Sequence, residues 1–265
     1  MQPQPLPFPD QPQGVLSFDF DGTLINPKAS PKLDPEFFVI VKILVEQGWV
    51  WGVNTGRSQM QMIQGFNEGS FPFLPHFMIA REREIYTPGQ FGRWIPDKQW
   101  NTRCEKDHQK MFRKADKIIA KIKEFVETQT SAQWVSQEGD LAGVIATSEM
   151  ELQRIVDEVE LVRHQYPLMS YLRNTIYMRF SHRDYHKGSS LTEITNRVGV
   201  KPENVFTVGD GHNDLDMLNP EIAGMFACPS NSDTEVIEHV KNKGGYVADS
   251  PSSHGVIEAL YHFFH

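Results

Sequence analysis

Cysteine is nearly absent. Cys104 and Cys228 are the two among 265 residues, too few and too far apart for a disulfide framework or a metal-ligand spacing. That scarcity predicts a reducing compartment, the cytoplasm. No apolar run is long enough to span a bilayer, so no membrane partner is expected. The opening stretch MQPQPLPFPDQPQ lacks the basic start and apolar stretch of a secretory signal. Residues 1–13 read instead as a flexible Pro/Gln-rich tail. Basic charge is also in deficit: 26 Lys and Arg against 34 Asp and Glu leave a formal net charge of -8. That balance argues against bulk nucleic-acid binding. Internal repeats and long charge runs are missing too. What remains is 39% hydrophobic residues, enough to build one large core or two domains.

The first third alternates apolar runs with helical periodicity. GVLSFDF (14–20), WVWGVNT (49–55) and HFMIA (76–80) read as strands. Between them, Asp34-Pro35 opens a helix that Gly48 closes, and residues 58–66 form another. This alternation predicts parallel pairing in a doubly wound α/β sheet. The rhythm changes at residue 81. Residues 81–96 read as a hairpin, 105–128 as a helix with Met111, Ala115, Ile118, Ile122 and Phe125 on one face, and 132–147 as two strands around Gly139-Asp140. Ser148 caps a further helix, and 170–182 form a hairpin turning at Arg173-Asn174. Lysines 106, 110, 114, 117, 121 and 123 read as a solvated face, not a nucleic-acid surface, because acidic and polar residues interleave them. From residue 187 the first rhythm returns to the end of the chain. The organisation predicted is a tail over 1–13, a core over 14–80 and 184–265, and an inserted α+β unit over 81–183.

In an open parallel sheet, ligands bind beyond the carboxyl ends of the strands. Asp19 and Asp21 fall at the end of the first strand, and Asn54-Thr55-Gly56-Arg57 at the end of the second. Asp210, Asn213 and Asp214 follow the strand near 204–210, and Lys187 opens the helix that re-enters the core. Three carboxylates and a backbone carbonyl suit a hard cation such as Mg²⁺. A lysine, a threonine hydroxyl and loop amides suit a phosphate. A carboxylate whose charge is offset by metal and lysine can attack phosphorus, and a second one two residues on can trade protons with the leaving group and with water. Gly22 permits a sharp turn and Thr23 can brace it. Taken singly, each has an ordinary reading: a turn or cap aspartate, a helix-capping threonine, a solvated lysine. Their joint order at matching strand ends is what distinguishes them.

DFDGT (19–23), VNTGRS (53–58), HKGSSL (186–191) and VGDGHNDLDM (208–217) resemble the four motifs of haloacid dehalogenase superfamily phosphatases. The resemblance covers the chain apart from its tail, and implies a Rossmann-like core. Asp19 then matches the nucleophile that becomes an aspartyl-phosphate. Asp21 matches the general acid and base, its backbone carbonyl also reaching Mg²⁺. Lys187 matches the lysine that steadies nucleophile and phosphate. Thr55 matches the phosphate-binding residue, in a set with Gly22, Thr23, Gly56, Arg57 and Asn213. Asp210 and Asp214 complete the metal set with Asp19 and Asp21. The gap of 34 residues from Asp21 to Thr55 is too short for a cap, whereas the 132 from Thr55 to Lys187 hold the insert. That arrangement is similar to the branch with a C2-type cap, which includes Cof-like sugar phosphatases and sucrose-phosphate phosphatases. EREIY (82–86) resembles the latter somewhat, while ARERE (80–84) departs from the small, glycine-bearing stretch usual there.

Arg81, Glu82, Arg83, Glu84, Arg179 and His182 are candidates for contacting the non-phosphate part of a substrate. The implied activity is Mg²⁺-dependent hydrolysis of a small phosphorylated metabolite, a sugar phosphate, by a monomer or dimer. The alternatives are a sugar phosphotransferase or mutase, a non-catalytic metabolite-binding protein, and processing of nucleic-acid terminal phosphates.

Overall fold

A computed structural model describes residues 3–137 and 140–264. Strand β1 (Gly14–Phe18) is buried along its whole length, because parallel strands flank it on both sides. On one side lies β2 (Trp49–Asn54), with Phe18 opposite Val53. On the other lies the strand Val205–Val208, with Phe18 opposite Val208. Helix α1 (Glu36–Glu46) joins β1 to β2 and buries Phe37, Phe38, Val41 and Leu44. Asp34 accepts from the Glu36 N–H at 2.9 Å, as expected of a capping aspartate. Helix α2 (Gln59–Glu68) starts with a full capping box between Ser58 and Gln61. It leads to β3 (Phe77–Ala80), again parallel to β2.

The hairpin that follows corrects the expected domain boundary. β4 (Glu84–Pro88) and β5 (Trp94–Pro96) pair antiparallel onto β3 and so extend the core sheet. The chain accordingly divides into compact units at 1–101 with 187–265, and at 102–186. The long helix α3 (Lys98–Gln129) begins seven residues earlier than its apolar period indicated.

In the inserted unit, β6 (Gln133–Gln137) and β7 (Asp140–Ile145) pair antiparallel, as expected; Gly139 of their turn lies outside the described residues. Helix α4 (Glu149–Arg163) starts at Ser148, whose Oγ accepts from the Glu151 N–H. β8 (Met169–Asn174) and β9 (Tyr177–His182) follow. Their turn lies at Thr175-Ile176, two residues beyond the expected place, and Thr175 takes a left-handed φ of 50° there. Among the described residues, the insert's sheet runs β6–β7–β9–β8. It packs Ala142, Val144, Met169, Met178 and Phe180 against Met111, Ala115, Ile122 and Val126 of α3 and Leu152, Ile155 and Val159 of α4. Lysines 106, 110, 114, 117, 121 and 123 of α3 are all exposed.

The core resumes with α5 (Lys187–Val198), β10 (Val205–Val208), β11 (Met225–Cys228), α6 (Thr234–Lys243), β12 (Tyr246–Val247) and α7 (Ser252–Phe264). Its sheet order among the described residues is β12–β11–β10–β1–β2–β3–β4–β5. A cluster of rings, Phe18, Phe20, Phe37, Phe38, Trp51, Phe71 and Phe206, fills the space between sheet and helices.

The described part of the N-terminal stretch is packed, not loose. Leu6 lies against this core, and the Leu74 N–H donates to Gln4 O at 3.0 Å. His76 Nδ1 accepts from the Trp51 N–H at 3.2 Å, so Nε2 carries the proton donated to Leu6 O at 3.1 Å. Phe8 packs its ring edge-on with His76. Apolar residues between the prolines supply this anchorage, which the Pro/Gln composition had masked.

Candidate active site

Because β1, β2 and β10 run parallel and in register, their carboxyl ends share one edge. Asp19 follows β1 directly, its N–H donating to Val208 O at 2.9 Å. Asn54 ends β2, and its Nδ2 donates to Lys187 O at 3.0 Å, tying the start of α5 to the same edge. Lys187 is fully buried. Its Nζ donates to Asp19 Oδ1 at 2.5 Å and to Asp214 Oδ1 at 2.6 Å. Asp214 also accepts, through Oδ2, from the N–H groups of Asp210 (3.1 Å) and Gly211 (2.9 Å). Asp210 Oδ1 accepts from Thr23 Oγ1 at 2.5 Å. Residues up to 195 positions apart in sequence thus meet in one buried polar cluster.

The glycines here are steric requirements. A Cβ at Gly22, which holds φ +81°, would lie 2.2 Å from Asp210 Oδ2, and one at Gly209 would lie 2.3 Å from the Asp214 carboxyl carbon. The first turn depends on a left-handed residue that only glycine adopts freely.

The charges are unbalanced. Burial pushes the Asp19, Asp210 and Asp214 carboxyls up, and their mutual repulsion adds to it, with Asp210 raised to about 8. Burial also opposes the charge on Lys187, but Asp19, Asp214 and Glu82 outweigh it and hold the amine protonated well above its ordinary range. One lysine against three carboxylates leaves an excess of negative charge. One oxygen from each of Asp19, Asp210 and Asp214 lies within 4.8 Å of the others. Clustered hard oxygen donors with surplus negative charge fit a divalent cation.

Several expected phosphate ligands have their hydrogen-bonding groups engaged elsewhere. Arg57 grips Asp21 with both nitrogens of its fork, Nε to Oδ2 at 2.8 Å and Nη2 to Oδ1 at 2.7 Å. The Asp21 side chain is half exposed, and its carboxylate is outside the metal-type cluster. The Gly22 N–H donates to Ile25 O at 3.0 Å, and the Thr23 hydroxyl is taken by Asp210. Those two residues shape the loop, because the tight turn absorbs one donor and the buried carboxylate the other. Thr55 is buried and its Oγ1 accepts from the Arg57 N–H at 3.1 Å, leaving its own hydrogen to donate. Gly56 follows it, exposed. Asn213 is buried with Nδ2 2.7 Å from Glu82 Oε1.

One residue at this edge, Asn231, has no counterpart among the sequence-based candidates. Asn231 donates from Nδ2 to Gly22 O at 3.0 Å and accepts from the Ser252 N–H at 2.6 Å, so it braces the loop after β1. Its position in a turn-rich segment just past β11 was the available signal. Glu82, expected to face a substrate's non-phosphate part, instead lies in the core unit beside Asn213.

Similar solved structures share this fold. One is a sucrose-phosphatase from Synechocystis sp. PCC6803 solved with sucrose and phosphate, 16% identical with a TM-score of 0.75 over 96% of this chain and 98% of that one. Another is a haloacid dehalogenase-like hydrolase protein from Bacillus subtilis, 18% identical, TM-score 0.66, covering 99% and 95%. A phosphoglycolate phosphatase from Archaeoglobus fulgidus is 34% identical over 77 residues, which span 29% of this chain and about a third of that protein, 32%. The class is that of haloacid dehalogenase-type phosphatases, phosphoric monoester hydrolases with a cap. Within it, residues 12–264 match the model of the sucrose-6F-phosphate phosphohydrolase family, and the chain belongs to that family.

Proposed function

We propose that this protein is a Mg²⁺-dependent phosphatase of a small phosphorylated metabolite, a sugar phosphate, working through an aspartyl-phosphate on Asp19. The observation that carries the reading is the Asp19–Lys187–Asp214 arrangement, with Asp210 beside it. Asp19 Oδ attacks phosphorus and the ester oxygen leaves, taking a proton from Asp21. Lys187 keeps the nucleophile oriented and offsets charge on the transferring group. Thr55 and Asn213 donate to the phosphate oxygens. Asp21 then takes a proton from the water that cleaves the acyl-phosphate, releasing orthophosphate and restoring Asp19. A cation held by Asp19, Asp210, Asp214 and the Asp21 carbonyl supplies, when bound, further charge neutralisation. Small size and six oxygen ligands suit Mg²⁺ to such a carboxylate set.

Asp21 begins the cycle held by the two-pronged grip of Arg57. Its acid role therefore requires that fork to open on substrate binding. The sugar assignment draws on the family membership and on the sucrose and phosphate bound to the Synechocystis relative. The inserted unit, 102–186, is proposed as the cap that selects the leaving group.

The test is hydrolysis of an aryl phosphate with Mg²⁺ by wild type and Asp19→Asn, followed by a panel of sugar phosphates. Asp19→Asn is expected to lose at least ~10³-fold in kcat, the scale seen when a nucleophile is removed, while melting like wild type. Turnover at the wild-type rate would sink the scheme. A phosphoryl acceptor raising product yield above hydrolysis would favour the phosphotransferase reading.

A further inference from the structure

The loop leaving β3 holds two successive non-glycine residues in the left-handed region, Arg81 at φ 48° and Glu82 at φ 63°. Side-chain-bearing residues avoid that region, and exceptions gather where a site demands an unusual backbone. Here the backbone is pinned at each step. The Arg81 N–H donates to Arg57 O at 2.8 Å, the Glu82 N–H to Thr55 O at 2.8 Å, and Ser190 Oγ to Glu82 O at 3.1 Å. The loop is therefore tied to the second motif and to α5 at once.

This conformation carries the Glu82 side chain inward. The residue is 4% exposed, and its Oε1 lies 2.7 Å from Asn213 Nδ2. A Cβ added at Gly56 would come within 3.3 Å of the same oxygen. A carboxylate only accepts hydrogen bonds, so the contact fixes the Asn213 carboxamide with its nitrogen toward Glu82 and its oxygen away.

We infer that Glu82 is a positioning residue of the phosphoryl pocket, which orients the Asn213 amide. The inference rests on the phosphatase reading above. A buried carboxylate beside an anion site is adverse unless a neighbour donates to it, and Asn213 is that neighbour. The strained backbone is retained because a relaxed one would turn the side chain away from Asn213.

The experiment compares wild type, Glu82→Gly, Glu82→Gln, Asn213→Ala and the Glu82→Gly/Asn213→Ala pair in aryl phosphate hydrolysis and inhibition by orthophosphate, with Asp19→Asn alongside. Glycine adopts φ +63° without steric cost, so Glu82→Gly is expected to melt no lower than wild type. Its kcat/KM is expected to fall about tenfold, the scale of one oriented hydrogen bond to a charged group, and its orthophosphate inhibition constant to rise similarly. Glu82→Gln, which keeps an accepting oxygen, should recover most of that loss. The pair should be no worse than Asn213→Ala alone, as expected of residues acting as one unit. Wild-type kcat/KM in Glu82→Gly with Asp19→Asn inactive would overturn the role of Glu82 alone, as would losses that multiply in the pair. Activity in Asp19→Asn would instead bring down the phosphatase reading and this inference together.

Discussion

At the scale of single residues, the site is defined by a shortage of positive charge. Lys187 neutralises only part of what Asp19, Asp210 and Asp214 bring, and burial raises all three carboxyls. The sign of the resulting pH dependence follows. A carboxyl with a folded-state pKa above its unfolded value holds a proton that the unfolded chain has already lost. Metal-free protein is therefore stable near the unfolded carboxyl range and loses stability as pH rises toward about 8, where Asp210 ionises. Asp210→Asn removes that penalty. In chelator at pH 8 it is expected to raise Tm by about 2–4 °C, the response to ~1 kcal/mol in a chain of this size, and to abolish stabilisation by added Mg²⁺. Thermal melts from pH 5 to 8, with chelator and with Mg²⁺, measure both effects. A variant that melts lower at pH 8 in chelator would show that the carboxylates are not in excess.

At the scale of elements, local chemistry was readable where it acts locally. Asp19, Thr55 and Asp210 were placed correctly at strand ends because each follows a short, mostly apolar run, and Ser148 was a recognisable cap. Ser148→Ala is expected to destabilise α4 by about 1 kcal/mol, the usual worth of an N-cap, seen as a lowered Tm. An unchanged melt would mean that Glu151, which accepts from the N–H groups of Ser131 and Thr147 and from Thr147 Oγ1, secures the helix start unaided. Less was readable where partners are distant. The hairpin β4–β5 has no sequence mark assigning it to the core; only its pairing with β3 does. The first turns of α3, from Lys98, are too polar to show an apolar period. Leu6 finds its place only against a core built from residues far along the chain. Nothing in ARERE announces that Glu82 turns inward, because that follows from hydrogen bonds to Thr55 and Ser190.

At the scale of the whole molecule, the site exists only once remote segments have joined. Asp19 and Lys187 are 168 positions apart, and the loop bearing Asp210 and Asp214 comes later still. No helix among the described residues is long and apolar enough to cross a membrane, and the exposed lysines of α3 are interleaved with acidic residues, so the edge of the core sheet remains the centre of chemical interest. The position of β1, between β2 and a partner that begins at Val205, has a consequence during synthesis. A ribosome that has reached residue 204 has produced the entire inserted unit, yet one flank of the fully buried strand β1 still shows bare amides and carbonyls. Such an edge recruits other chains. Nascent chains arrested before residue 205 are expected to pellet on centrifugation and to bind holdase chaperones, whereas those extending past β11 should stay in the supernatant.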